Sequence, residues 1–146
     1  MKFLIIGDLH GQMPKIYVKD FDAIIAPGDF CSDEMRKYAF QAMRERIKNP
    51  NSKVKWWDIT GKPKAKKIVD KSTKDGRKIL EKLNSFGVPV YAVPGNWEWK
   101  KNKECDYLKK DYWKILKFGL KNIKDTHHKL VNTKNYQFIG HGYISG

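Results

Sequence analysis

Apolar positions gather into four short runs: Phe3–Ile6, Ala23–Ala26, Val88–Val93 and Tyr136–Ile139. The first three are rich in β-branched residues and nearly continuous in apolarity. That pattern predicts parallel strands covered on both faces. Helical spacing appears between them. Met35, Tyr38, Ala39, Ala42 and Met43 form one stripe. Ile79, Leu80, Leu83 and Phe86 form a second, with Gly87 placed to cap it. Leu108, Tyr112, Ile115 and Leu116 form a third, closed by Gly119. Strands alternating with helices predict a layered α/β domain.

Two segments break this rhythm. Residues 11–20 read as a short crossover that turns helical after Pro14. Residues 49–76 are polar, lysine-rich and punctuated by Pro and Gly, and read as a surface excursion with a small strand at Val54–Ile59. No internal repeat or linker stands out, so the expectation is one domain over residues 1–146, long enough for a real core. No apolar run reaches membrane-spanning length. The opening MKFLIIGDLHG has too short an apolar stretch for a secretory signal and reads as a first strand. Cys31 and Cys105 are too few for a disulfide framework. Together these predict a cytoplasmic protein with no membrane segment.

The formal net charge is +14, carried mostly by lysine. One reading is an affinity for anionic partners such as nucleic acid or phosphorylated metabolites. The other is a set of solvated lysine faces. Scarce arginine favours the second, because dedicated phosphate and base recognition leans on arginine.

The chemistry lies where the apolar runs stop. FLIIGDLHG gives Gly7-Asp8 and then His10; AIIAPGDF gives Gly28-Asp29; VYAVPGNWE gives Gly95-Asn96. Each glycine permits a sharp turn and close approach. Each following residue brings an oxygen ligand. In a parallel sheet the carboxyl ends of the strands share one edge, where ligands bind. Asp8, His10, Asp29 and Asn96 are therefore expected to converge. Two carboxylates, an imidazole and an amide oxygen suit Mn, Fe, Co, Ni or Zn ions better than a thiolate site does. Asp29 has two oxygens and could bridge two cations. Paired metals can hold a hydroxide and polarise a phosphoryl oxygen, an arrangement for hydrolysing phosphate esters. A single Gly-Asp is a common turn. Three such endings in strand order, one of them Asp-x-His, are not explained by turns alone.

The order Asp8-x-His10, Gly28-Asp29, Gly95-Asn96-x-Glu98 resembles the first three motifs of the calcineurin-like metallophosphoesterase superfamily. The resemblance implies an α/β/β/α sandwich with two divalent metal ions at the strand ends. It implies Asp8 and His10 on the first metal, Asp29 bridging and Asn96 on the second, with Asp29 and Asn96 central to catalysis. The implied substrates are phosphorylated small molecules or phosphodiesters.

Two departures stand out. Trp97 occupies a position where many members carry histidine, and an indole cannot exchange a proton at working pH. The general acid is thus left unassigned. The superfamily's later Gly-His-x-His is also absent, which implies a sandwich incomplete at the C-terminus or a degenerate member. His141, in Gly-His-Gly at the end of the last run, reads either as a further ligand or as a turn or substrate-side residue. His127 and His128 read as loop residues.

Other residues have two readings. Cys31 could edge the site but reads better as a small loop thiol. Asp33 and Glu34 suit a helix start. Trp56 and Trp57 could stack on a base or ring, or anchor the excursion, the favoured reading. Glu98 is placed to orient ligands, and Trp99 to pack. The lysines from Lys100 to Lys124 read as the solvated side of a helix. Two alternatives to a phosphoesterase follow: a nuclease on the same fold, and a catalytically inactive binding or scaffold module.

Overall fold

The computed structural model describes residues 1–98 and 110–142. Trp99, Cys105, Leu108 and the lysines between 100 and 109 lie outside the described residues. Four strands form one parallel sheet in the order β1 (Phe3–Ile5), β2 (Ala23–Ala26), β3 (Val90–Ala92), β4 (Ile123–Asp125). Leu4, Ile24, Val90 and Ile123 lie in register across it. The three predicted parallel strands are present, and β4 adds a fourth.

Side chains alternate between the two faces of this sheet, as strand geometry requires. Leu4, Ile24, Ala26, Val90 and Ala92 face the main core, which Ile79, Leu80, Leu83, Trp113 and Leu116 fill from the helices. Tyr91 and Phe3 serve the other face. There a hairpin of β5 (Leu130–Asn132) and β6 (Gln137–Ile139) lies against them. Phe138 stacks on Tyr91 at 4.0 Å between centroids, and Phe3 meets Tyr136 edge-on at 5.6 Å. The fold is α/β, with a parallel sheet flanked by helices and a second, two-stranded sheet on the opposite face.

The helices differ from the sequence expectation in instructive ways. α1 (Arg36–Lys48) follows its predicted stripe, although Met43 is 40% exposed. Asp33 and Glu34 do not cap it: Met35 is the N-cap and makes no side-chain cap bond. The expected strand at Val54–Ile59 is instead a one-turn helix, α2 (Trp56–Thr60). Asp58 takes the Lys55 N–H at 2.9 Å and closes that turn. Trp56 is buried among Met35, Ala65, Ile68, Val69 and Tyr112, with Trp57 packed beside it, so the pair anchors this segment. Residues 11–20 hold no helix.

The largest correction concerns α3, which runs from Lys62 to Asn84. Residues 62–76 are its first half and not an excursion. The reason is legible in its buried positions: Ala65, Ser72 and Gly76 alternate with Ile68 and Val69. Small residues stand where the helix passes close beneath the loop after β2. A Cβ on Gly76 would strike Cys31 Sγ, and Ser72 Oγ donates to Ser32 O at 2.6 Å. α4 (Tyr112–Lys117) buries Tyr112, Trp113 and Leu116 but leaves Ile115 46% exposed.

Candidate metal centre

The loops after β1, β2 and β3 meet at one edge of the sheet. Backbone bonds continue the strand pairing past the strands: Asp8 N–H donates to Gly28 O at 3.0 Å, and Leu9 and His10 N–H both donate to Asp29 O at 2.8 Å. The loops can touch only because two glycines clear the way. A Cβ on Gly28 would run into the Gly95 backbone, and one on Gly95 would run into Asp29 Oδ1.

Ligand atoms of Asp8, His10 and Asp29 lie within 4.8 Å of one another. His10 Nε2 is 2.8 Å from Asp8 Oδ1. All three residues hold positive φ, at 56°, 45° and 55°. Non-glycine residues rarely adopt that conformation, and such strain persists only where surrounding structure enforces it. It is concentrated here on the residues that aim ligand atoms at a common point.

Asn96 joins the group through Asp29. Its amide lies 2.8 and 3.0 Å from the two Asp29 carboxylate oxygens. With its nitrogen turned inward it donates to both. With its oxygen inward, three oxygens converge, an arrangement that a bound cation or a proton on the Asp29 carboxyl would hold together. Burial pushes the Asp29 carboxyl above its ordinary range, opposed by the Trp97 N–H and His10.

Glu98 is 1% exposed, yet it is the hub of this edge. Its Oε2 accepts from Asp29 N–H at 2.8 Å and Gly95 N–H at 2.7 Å; its Oε1 accepts from Cys31 N–H at 2.8 Å. Burial raises its carboxyl pKa against those three donors. Glu98 orients its neighbours through their backbone: it ties the β2 loop to the β3 loop and helps fix Asp29 in its strained conformation. Asp33 is the carboxylate nearest the far side of His10, with Oδ2 3.9 Å from Nδ1. Trp97 stands edge-on to the His10 ring at 6.5 Å and packs against both core clusters. Its backbone N–H also reaches Asp29 Oδ1 at 3.3 Å. Cys31 is buried, its thiol pushed well up by burial, as befits a packed loop residue.

The three later histidines form a cluster of their own. His128 Nε2 is 2.7 Å from His141 Nδ1, and the His127 and His128 rings stack at 4.0 Å. His127 Nδ1 accepts the Gly142 N–H at 2.9 Å. The loop placement expected for His127 and His128 holds, but their meeting with His141 was not foreseen. The hairpin of β5 and β6 brings the two segments together, and the chain spacing carried no sign of it.

The family model for calcineurin-like phosphoesterases matches residues 1–144. Neither the curated proteins nor the solved structures contain a match.

Proposed function

The chain belongs to the calcineurin-like phosphoesterase family, and from that premise we propose that it hydrolyses phosphate mono- or diesters with two divalent metal ions. The observation that carries this reading is the convergence of Asp8, His10 and Asp29, with the Asn96 amide laid across both Asp29 oxygens. The donor set is oxygen-rich with one imidazole, which fits Mn, Fe, Co, Ni or Zn. Asp8 and His10 would hold one ion, Asp29 would lie between the two, and Asn96 would serve the other. Bound divalent ions supply charge neutralisation and Lewis-acid polarisation of a phosphoryl group.

The chain's own residues prepare that site. Glu98 fixes the two loops, and the strained backbones of residues 8, 10 and 29 aim their side chains before anything binds. Trp97 covers His10 where an ionisable group would otherwise stand, and it donates only its backbone N–H to Asp29. Without a proton donor at that position, the enzyme favours leaving groups that depart as stable anions, so aryl esters are the suitable probes.

The test is hydrolysis of an aryl phosphodiester and an aryl phosphomonoester with Mn²⁺ or Ni²⁺. Wild type is expected to turn over at least one of them. Asp29→Asn is expected to lose more than the roughly 10–100-fold that an outer-shell partner costs. Two metals per chain by elemental analysis are expected in wild type, and an unmetallated chain would favour the scaffold alternative. Turnover that survives Asp29→Asn intact would reject the assignment.

A further inference from the structure

We propose that the outer face of α3 is a docking surface for the phosphodiester backbone of nucleic acid. This goes beyond the phosphoesterase reading and does not depend on it. The helix carries nine lysines and arginines against three carboxylates. More telling is their order. Lys64, Lys67, Lys71, Lys74, Lys78 and Lys82 recur at steps of three and four residues, so they share one face. All six are exposed, while the apolar face of the same helix is buried in the core. The stripe runs about 27 Å along the axis at 1.5 Å per residue.

A merely solvated helix face interleaves acids with bases, because like charges three or four residues apart destabilise a helix. This face instead sets five such lysine pairs in succession. Asp70, Asp75 and Glu81 flank the stripe, three or four residues from Lys67, Lys71, Lys74 and Lys78. They engage Lys66 at 2.5 Å, Lys71 at 2.7 Å and Arg77 at 2.8 Å. Among the described residues, Lys67, Lys74 and Lys78 have no carboxylate within ion-pair distance. The flanking acids are outnumbered by the stripe lysines, and the cationic excess on this face is what a bound polyanion would neutralise.

The stripe also borders a built groove. A cavity of about 660 Å³ lies between α3 and α4, and Lys67, Lys71, Lys74, Arg77 and Lys110 line it, with Asp70 the one carboxylate among the described residues. Arg77 locks the two walls together, since its Nη1 donates to Leu116 O at 2.9 Å and Phe118 O at 2.6 Å. A concave, cationic, rigid groove beside a straight line of lysines suits a linear polyanion. Lysine supplies point charges without base readout, so the binding is indifferent to sequence. An anionic membrane fits less well, because α3 has no exposed apolar face to insert.

The test is fluorescence anisotropy with a short labelled DNA duplex in EDTA, so that binding is read without any metal-dependent step. The triple variant Lys67→Gln/Lys71→Gln/Lys74→Gln is expected to bind at least tenfold more weakly. Its log–log salt slope should be shallower by about 2 to 3. A control, Lys15→Gln/Lys19→Gln/Lys53→Gln, removes the same charge from exposed positions elsewhere and is expected to bind within twofold of wild type. Lys→Arg at the same three stripe positions should retain binding. The stripe variant should melt close to wild type, since it removes like-charged neighbours together with one exposed ion pair, Lys71–Asp75. Equal losses in both Gln triples would reduce the effect to net charge and overturn the proposal. So would undetectable binding by wild type, or equal affinity for polyglutamate or for anionic vesicles.

Discussion

Two polar clusters in this molecule gather ring and carboxylate groups at loop positions, and they are held together differently. In the Asp8–His10–Asp29–Asn96 cluster, the backbone is strained at three of four residues and a buried carboxylate, Glu98, clamps the loops from behind. In the His127–His128–His141 cluster, only His128 has positive φ, at 52°, and the rings rest on one another. One of those rings is already used as a structural acceptor by Gly142. The first cluster spends stability to aim ligand atoms. The second spends little and satisfies itself. The difference sets a cluster held by strained backbone and a buried clamp against one held by ring contacts and a hairpin.

The comparison can be broken most severely at Glu98. Glu98→Ala leaves three N–H donors without an acceptor, two of them buried, a loss of about 2–5 kcal/mol in unfolding free energy by denaturant titration. Glu98→Gln keeps the shape but turns an NH₂ toward one N–H, and it should cost less. Both should weaken Mn²⁺ binding by calorimetry, with Ala the worse. If either variant bound Mn²⁺ like wild type, the clamp would have no part in preparing the site.

A smaller effect is expected in the second cluster. His141→Ala removes two ring contacts, with His128 and His127, and one imidazole hydrogen bond near the surface, a loss of about 1 kcal/mol or less. Metal stoichiometry by elemental analysis is expected to stay at the wild-type value. A drop by one metal would instead join the two clusters into a single centre.

The smallest effect concerns Asp125, which accepts the His127 N–H at 3.1 Å and pairs with Lys117 at 3.3 Å. Burial alone would raise its carboxyl, but the His127 N–H and Lys117 hold it below the ordinary range. A depressed carboxyl stabilises the fold above the unfolded value of about 3.9 and loses that contribution as pH falls through the folded value. Asp125→Asn should therefore lose less stability than wild type as pH falls below about 4, by under about 1 kcal/mol. Parallel acid-melting curves for the two would remove Asp125 as a brace.

Much of this was legible in the chain. Continuous apolar runs marked β1, β2 and β3, because buried parallel strands need apolar residues on both faces. β4 was missed because Ile123-Lys124-Asp125 has a single apolar residue; it is a strand only because β3 offers it a ladder. The first half of α3 was missed because its core positions include Ala65, Ser72 and Gly76, which carry almost no hydrophobic signal. Ser72 and Gly76 are small because the loop after β2 lies directly above them.

By itself, the sequence determined the donor types and their order: a carboxylate and an imidazole, then a carboxylate, then an amide, each just past a strand. It did so because glycine-led turns at strand ends are local events. Only the tertiary structure decided that Glu98 grips the backbone of two loops, that Trp97 stands edge-on to His10, and that the late histidines meet each other. Those outcomes depend on which loops and faces come into contact, and no local pattern of residues encodes that.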